Sequence, residues 1–320
     1  MLGKKLSRRI VLAFLLVALL AFSAGPHVAA QESKPLKFVI VAHNIAVPFW
    51  VPVRQGAEDA GKLLGVEVQF TGPSDFNLPR QRDILQAAIA SGVDGIGTTM
   101  PDTEAFDDIV DEALARGIPI IAFNADDANR RMAYIGQDNV EAGRAMARKI
   151  LELLPDGGKV LLAIHTPGHL SLEQRLSGIK EVLDQAGNVE YEVIATTTDL
   201  VRATTLISSY YQGHPDTVGM FSVDDIGGSA IAQFVEQADL KGKVVCGGFD
   251  LVPEIMLAIA DGRCQFTVDQ QPYLQGFQTV IQLYLYNQYK LSPTDINTGI
   301  ATVGADTIEE VMKLAEQGYR

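Results

Sequence analysis

From Lys37 onward, short apolar runs alternate with amphipathic helical stretches, and the whole alternation occurs twice. "LKFVIVA", "VEVQF", "VDGIGTT" and "IPIIAF" read as strands. "VRQGAEDAGKLL", "LPRQRDILQAAIAS" and "TEAFDDIVDEALARG" between them read as helices. Val53, Ala57, Ala60 and Leu64 share one helical face, as do Ala105, Phe106, Ile109, Val110 and Ala113. After "DNVEAGRAMARKILELL" the order begins again with "GKVLLAI", "YEVIAT", "VGMFS" and "KVVCGGF" as strands. Runs of four to seven apolar residues separated by amphipathic helices predict βαβ units, parallel sheets and helices on both faces.

The two halves agree in detail. Gly56 and Gly65 are nine residues apart, as are Gly178 and Gly187, and each second glycine leads into a strand that closes near an acid, Asp75 or Asp199. "GIPIIAFN" corresponds to "GKVVCGGFD", which puts Asn124 and Asp250 at equivalent strand tips. The expected fold is α/β: two doubly wound, Rossmann-like parallel-sheet domains joined by a three-crossover hinge. The expected N-terminal domain is 36–136 plus 271–300, and the C-terminal domain 137–270 plus 301–320. The crossings fall near Gly136–Asp138, Asp269–Pro272 and Ile300–Val303. Ligands of open parallel sheets gather at the carboxyl ends of the strands, so two such domains define a cleft with Asn124 and Asp250 facing into it. Asp250 could equally cap the helix that begins near Pro253.

The first 30 residues lie outside this pattern. A basic segment, "MLGKKLSRR", precedes 13 apolar residues from Ile10 to Phe22, and small residues stand at the −3 and −1 positions before Gln31. This order reads as a secretory signal cleaved near Ala30/Gln31, and the apolar run is too short for a spanning helix. Export is the expectation. Losing Lys4, Lys5, Arg8 and Arg9 would take the formal charge from −13 to −17. Such an acidic chain is a poor nucleic-acid partner, because phosphate neutralisation needs clustered Lys and Arg. Export permits Cys246 and Cys264 to pair, and they could equally be two buried thiols.

Enzyme signals are weak. No phosphate-cradling lysine loop and no nucleophile elbow occur, and "DGIGTT" lacks the third glycine of a dinucleotide site. His165 and His169 in "HTPGH" are separated by proline and glycine, so they do not share a helical face and no metal site is expected. We expect no catalytic residue, metal or cofactor.

Binding signals are richer. "VPFWVPVRQG" sets Phe49 and Trp50 at a strand-to-helix turn, where aromatic faces suit the apolar face of a sugar or simply pack the core. Arg175 offers a planar fork of donors for two hydroxyls, or a surface ion pair. Gln270, in "FTVDQQPYLQG", matches the donor–acceptor duality of a hydroxyl, or bonds to hinge backbone.

Taken in order, "PFW", "GIPIIAFN", "YIGQDNVEAG", the arginine before "SGIKEVL", "VGMFSVDD", "VVCGGFD" and "FTVDQQPYLQG" resemble the type I periplasmic sugar-binding proteins, the ribose-binding-like receptors of bacterial ABC importers, over residues 36–303. The resemblance implies Phe49 and Trp50 as an aromatic sandwich. It implies Asn124, Arg175, Asp224, Asp250 and Gln270 as ligands to hydroxyls. Val47 stands where the ribose pattern has Asn, Asn124 and Ala125 where it has an Asp–Arg pair, Leu200 where it has an aromatic, and Asp224 where it has Asn. These departures point to a related small sugar or polyol, with His43 replacing a lost contact. The implied role is a monomeric receptor that delivers its ligand to an inner-membrane ABC permease. The alternative is a sensor of an autoinducer-type furanose.

Overall fold

The computed structural model describes residues 34–320, so the export signal read from residues 1–30 lies outside the described residues. No helix among the described residues is long and apolar enough to cross a membrane. Two α/β domains are present, each built on one six-stranded sheet.

The first sheet holds β1 (Lys37–Val41), β2 (Glu67–Thr71), β3 (Gly95–Thr98), β4 (Ile120–Phe123), β5 (Tyr134–Gly136) and β11 (Ile296–Asn297) in the order β11-β5-β4-β3-β1-β2. The second holds β6 (Gly158–Ile164), β7 (Val189–Ala195), β8 (Thr217–Ser222), β9 (Val245–Phe249), β10 (Phe266–Asp269) and β12 (Ala301–Gly304) in the order β12-β10-β9-β8-β6-β7. The two orders are the same pattern, which is the structural form of the repeat. Pairing is parallel except at β10–β12, where Phe266 faces Gly304 and Asp269 faces Ala301 in an antiparallel ladder. The alternation of the sequence gives no sign of this reversed strand.

Strand residues alternate between two cores, as the pleat requires. In β1, Val39 and Val41 pack with Leu85 and Ile89 of α2 (Leu78–Ser91) and Ile109 and Val110 of α3 (Asp107–Ala115). Phe38 and Ile40 face the other way, onto Val53 and Ala57 of α1 (Trp50–Leu64) and Val280 and Leu283 of α9 (Pro272–Tyr289). In β6, Leu161 and Ala163 pack with Ile207 of α6 (Leu200–Gly213), Ile231 of α7 (Asp225–Gln237) and Ile255 of α8 (Pro253–Ala260). Val160, Leu162 and Ile164 pack with Met146 of α4 (Asn139–Leu153) and Ile179 of α5 (Leu170–Ala186). Residues 308–315 form α10 (Ile308–Ala315), which lies against the second sheet's helices.

The matched glycines do matched work. A Cβ on Gly56 of α1 would run into the Tyr273 carbonyl of α9, and one on Gly178 of α5 into the Val140 carbonyl of α4. In each domain a glycine therefore lets two helices touch backbone to backbone. In the second domain that contact sets the position of α5, which carries Arg175.

The chain passes between the sheets after β5, after β10 and between β11 and β12. The three passages are hydrogen-bonded to one another. Thr298 N–H donates to Gly136 O at 2.9 Å, Thr298 Oγ1 donates to Gln270 O at 2.8 Å, and Gln137 Nε2 donates to Gly299 O at 3.1 Å. Cys246 of β9 and Cys264, just before β10, form a disulfide within the second domain.

Candidate ligand-binding site

The carboxyl ends of the strands from both domains converge on one cleft, with an empty volume of about 610 Å³. His43, Phe49, Trp50, Asn124, Arg175, Asp224, Asp250 and Gln270 all line it.

Asp250 follows β9. It is 6% exposed, and its backbone sits at φ 74°, the left-handed region that Asp and Asn tolerate best among residues with a Cβ. It caps no helix: α8 starts after Val252, which makes no side-chain cap. Instead Asp250 Oδ1 accepts from Gln270 Nε2 at 2.6 Å. Gln270 Oε1 in turn accepts from Asn124 Nδ2 at 3.0 Å and from Gln275 Nε2 at 3.1 Å. The two equivalent strand tips, Asn124 and Asp250, are thus joined through one amide rather than directly. The Gln270 side chain bonds to other side chains rather than to hinge backbone, while its main-chain carbonyl accepts from Thr298 Oγ1 in the hinge. Burial pushes the Asp250 carboxyl up to about 7, against the opposing pull of Arg175.

Arg175 lies in the second turn of α5 and is 3% exposed, so the surface ion pair does not exist. Its Nε donates to Asn139 Oδ1 and its Nη1 to Val223 O, both at 3.0 Å, and its guanidinium lies 4.2 Å from the Phe249 ring centroid. Burial lowers its pKa, while Asp250 acts in the other direction. Among the described residues Nη2 makes no hydrogen bond to protein, which leaves donor capacity on a group held rigidly on three sides.

Phe49 and Trp50 are buried at the start of α1, yet they do not form a sandwich with each other. Their rings meet edge to face at 4.8 Å and 86°, and Trp50 is also perpendicular to His43 at 5.1 Å and 87°. A sandwich would need two parallel faces with a gap between them, and the helix start places these neighbours at right angles instead. His43 lies beside Trp50, with Nδ1 3.1 Å from Thr99 Oγ1. Its pKa is shifted down, first by burial and then by His165.

Asp224 is the N-cap of α7. Its Oδ1 accepts from Gly227 N–H at 2.6 Å and its Oδ2 from His165 N–H at 2.8 Å, so both oxygens already serve backbone. Any ligand hydroxyl shares them through their remaining lone pairs. His165, Asp224 and Asp225 bring ligating atoms within 4.8 Å of one another, but these two backbone bonds account for Asp224 as a helix cap beside a histidine.

Sequence reasoning did not select the wall residues Phe76, His169, Ser171 and Asp225, nor Gln275, whose amide supports Gln270 from behind the wall. Gln275 stands inside the quoted "DQQPYLQG" and could have been found there. Three buried polar atoms of wall residues have no partner among the described residues: Trp50 Nε1, His169 Nδ1 and Ser171 Oγ. Buried polar groups without partners are costly, and these three face a cleft wide enough to admit water or a small molecule.

Two parallel-sheet domains with a polar, aromatic-walled cleft at their strand ends define a two-domain binding protein. The sequence matches the periplasmic binding protein domain over residues 38–290, and the chain belongs to that family. The xylose/arabinose-binding protein XylF of Sulfolobus acidocaldarius is 34% identical over 286 residues, covering 84% of this chain and 71% of that protein. The ribose import binding protein RbsB of Bacillus subtilis is 27% identical, covering 72% and 74%. Among solved structures, an ABC transporter solute-binding protein from Burkholderia graminis in complex with D-arabinose superposes with a TM-score of 0.83 at 28% identity, covering 87% of this chain and 98% of that one.

Proposed function

We propose that the mature chain, beginning near Gln31, is a periplasmic receptor that captures a small neutral sugar or polyol in the interdomain cleft and delivers it, as a monomer, to an inner-membrane ABC permease. The carrying observation is the buried relay Asn124–Gln270–Asp250, which lines one cleft with Arg175, and the unpartnered polar atoms of Trp50 and Ser171 in the same cleft. Such a set alternates donors and acceptors, as vicinal hydroxyls do, and charge-assisted bonds from Asp250 and Arg175 are the strong ones. The relatives named for xylose, arabinose and ribose support a monosaccharide ligand. The cleft performs equilibrium capture and no covalent step.

The test is calorimetric titration of the mature protein with aldopentoses, aldohexoses and polyols, with scattering measured beside it. Binding of at least one sugar at micromolar affinity or tighter, with a smaller radius of gyration, is expected. Failure of every sugar and polyol to bind sinks the reading.

A further inference from the structure

His169 belongs to the second domain, as the residue just before α5, but its ring is seated in the first. It meets His43, two residues beyond β1, at 5.0 Å and 71°, and Phe76, two residues before α2, at 5.6 Å and 37°. The neighbouring Leu170 N–H donates to Pro101 O of the first domain at 2.9 Å. These contacts cross the mouth of the cleft, well apart from the three chain passages. His169 is 5% exposed, and its Nδ1 is buried without a partner among the described residues.

We propose that His169 is a positioning residue, a wedge that holds the second domain closed on the first, and that ligand affinity falls when this imidazole takes a proton. The inference rests on the reading that the cleft closes over its ligand.

The largest influences on the ring oppose a charge there. His43 faces it from the first domain and Phe76 offers only an apolar surface. His165 approaches from the end of β6, and Arg175 from further along α5. Burial, then His43, His165 and Arg175, lower the His169 pKa well below 6.5. The acids nearby are engaged elsewhere: Asp224 accepts the His165 N–H, Asp225 lies 3.9 Å from His165 Nε2, and Glu173 accepts the Gly168 N–H. No carboxylate among the described residues pairs with His169. An opened cleft returns the imidazole to water and to an ordinary pKa of about 6.5. Closure below that pH must therefore expel a proton, and the cost is about tenfold in affinity for each pH unit.

The experiment compares wild type with His169→Phe, which keeps an aromatic plate but cannot be protonated. Affinity for whichever of D-xylose, L-arabinose, D-arabinose, D-ribose and D-glucose binds most tightly is measured at pH 7.5 and 5.5. The acid loss should be about tenfold smaller in the variant than in wild type. An equal acid loss in both proteins overturns the proposal. The histidine ring protons are also followed from pH 4 to 8, with and without sugar, His169 being identified by its absence from the variant. A His169 resonance that titrates well below 6.5 supports the wedge, and one that titrates near 6.5 in every sample overturns it. Should none of the five sugars bind, the functional reading falls and the wedge falls with it, whereas binding with an equal acid loss in both proteins overturns the wedge alone.

Discussion

Asn124 and Asp250 occupy equivalent tips of the two sheets and share one unusual backbone state, with φ of 64° and 74°. Left-handed backbone costs a residue with a Cβ on the order of 1 kcal/mol, least for Asn and Asp, whose short polar side chains bond locally. The same two residues bond to opposite ends of the Gln270 amide. Each tip therefore needs a residue that accepts the turn and carries a polar group into the cleft.

This separates stability from affinity at Asp250. Its folded pKa, about 7, lies above the ordinary carboxyl value, so the folded protein holds the proton more tightly. Stability contributed by this group is greatest at low pH and is lost as pH rises toward 7. Asp250→Asn removes that cost, keeps an acceptor for Gln270 and tolerates the turn. Its melting temperature at pH 7.5 should equal or exceed wild type, while sugar affinity falls by about ten- to a hundredfold. Asp250→Ala should lose affinity and also melt lower. Asp239→Asn, at a fully exposed position, serves as the control. Unchanged affinity in Asp250→Asn removes Asp250 from the site.

Gln270→Glu tests the relay. The new oxygen replaces the Nε2 donor 2.6 Å from Asp250 Oδ1, setting two acceptors against each other in a buried place. A loss of about 1–3 kcal/mol is expected at pH 8. It should shrink at pH 5, where one of the two carboxyls can take a proton and donate again. Melting curves at the two pH values read it, and an equal loss at both would count against the relay.

Arg175→Lys should weaken sugar binding at least tenfold and lower stability by about 1–3 kcal/mol. An ammonium cannot keep both the Asn139 and Val223 bonds while lying flat on Phe249. Calorimetric titration beside chemical denaturation separates the two effects, and wild-type affinity would exclude the guanidinium from ligand contact.

Replacing Cys246 and Cys264 together with serine opens a loop spanning a sequence separation of 18. The chain-entropy estimate is a loss of about 3 kcal/mol. Both cysteines pack in the core behind the second sheet and neither lines the cleft. Melting temperature should fall with affinity unchanged, as read by scanning calorimetry and titration of the same sample.

Much of this architecture is written in apolar periodicity, because a strand buried on both faces and an amphipathic helix leave different spacings. What escaped the reading was too short to have a period: β5 has three residues, β11 two, and β12 four with reversed direction. At the site, residue chemistry pointed to Arg175, Asp250 and Gln270 because each sits in a distinctive local pattern. His169 and Ser171 gave no such cue, since an unpartnered atom is visible only once neighbours from the other domain are in place. The perpendicular rings of Phe49 and Trp50 were equally hidden, being set by how α1 leaves its turn.

The three passages between the domains all leave from the same side of both sheets, at β5 and β11 in one and β10 and β12 in the other. Any rotation of one domain on the other about that side works as a lever. Asn124, Asp250 and Gln270, on strands beside the pivot, sweep a short arc. His43 and His169, set by β1 and β6 further out, sweep a longer one. An arriving ligand thus finds the inner polar group nearly fixed in place, and the outer contacts must come to it. If the proposed receptor closes about that side, capture has an order: the molecule is first tethered at the pivot side and only afterwards enclosed from the rim, and escape retraces the same sequence backwards.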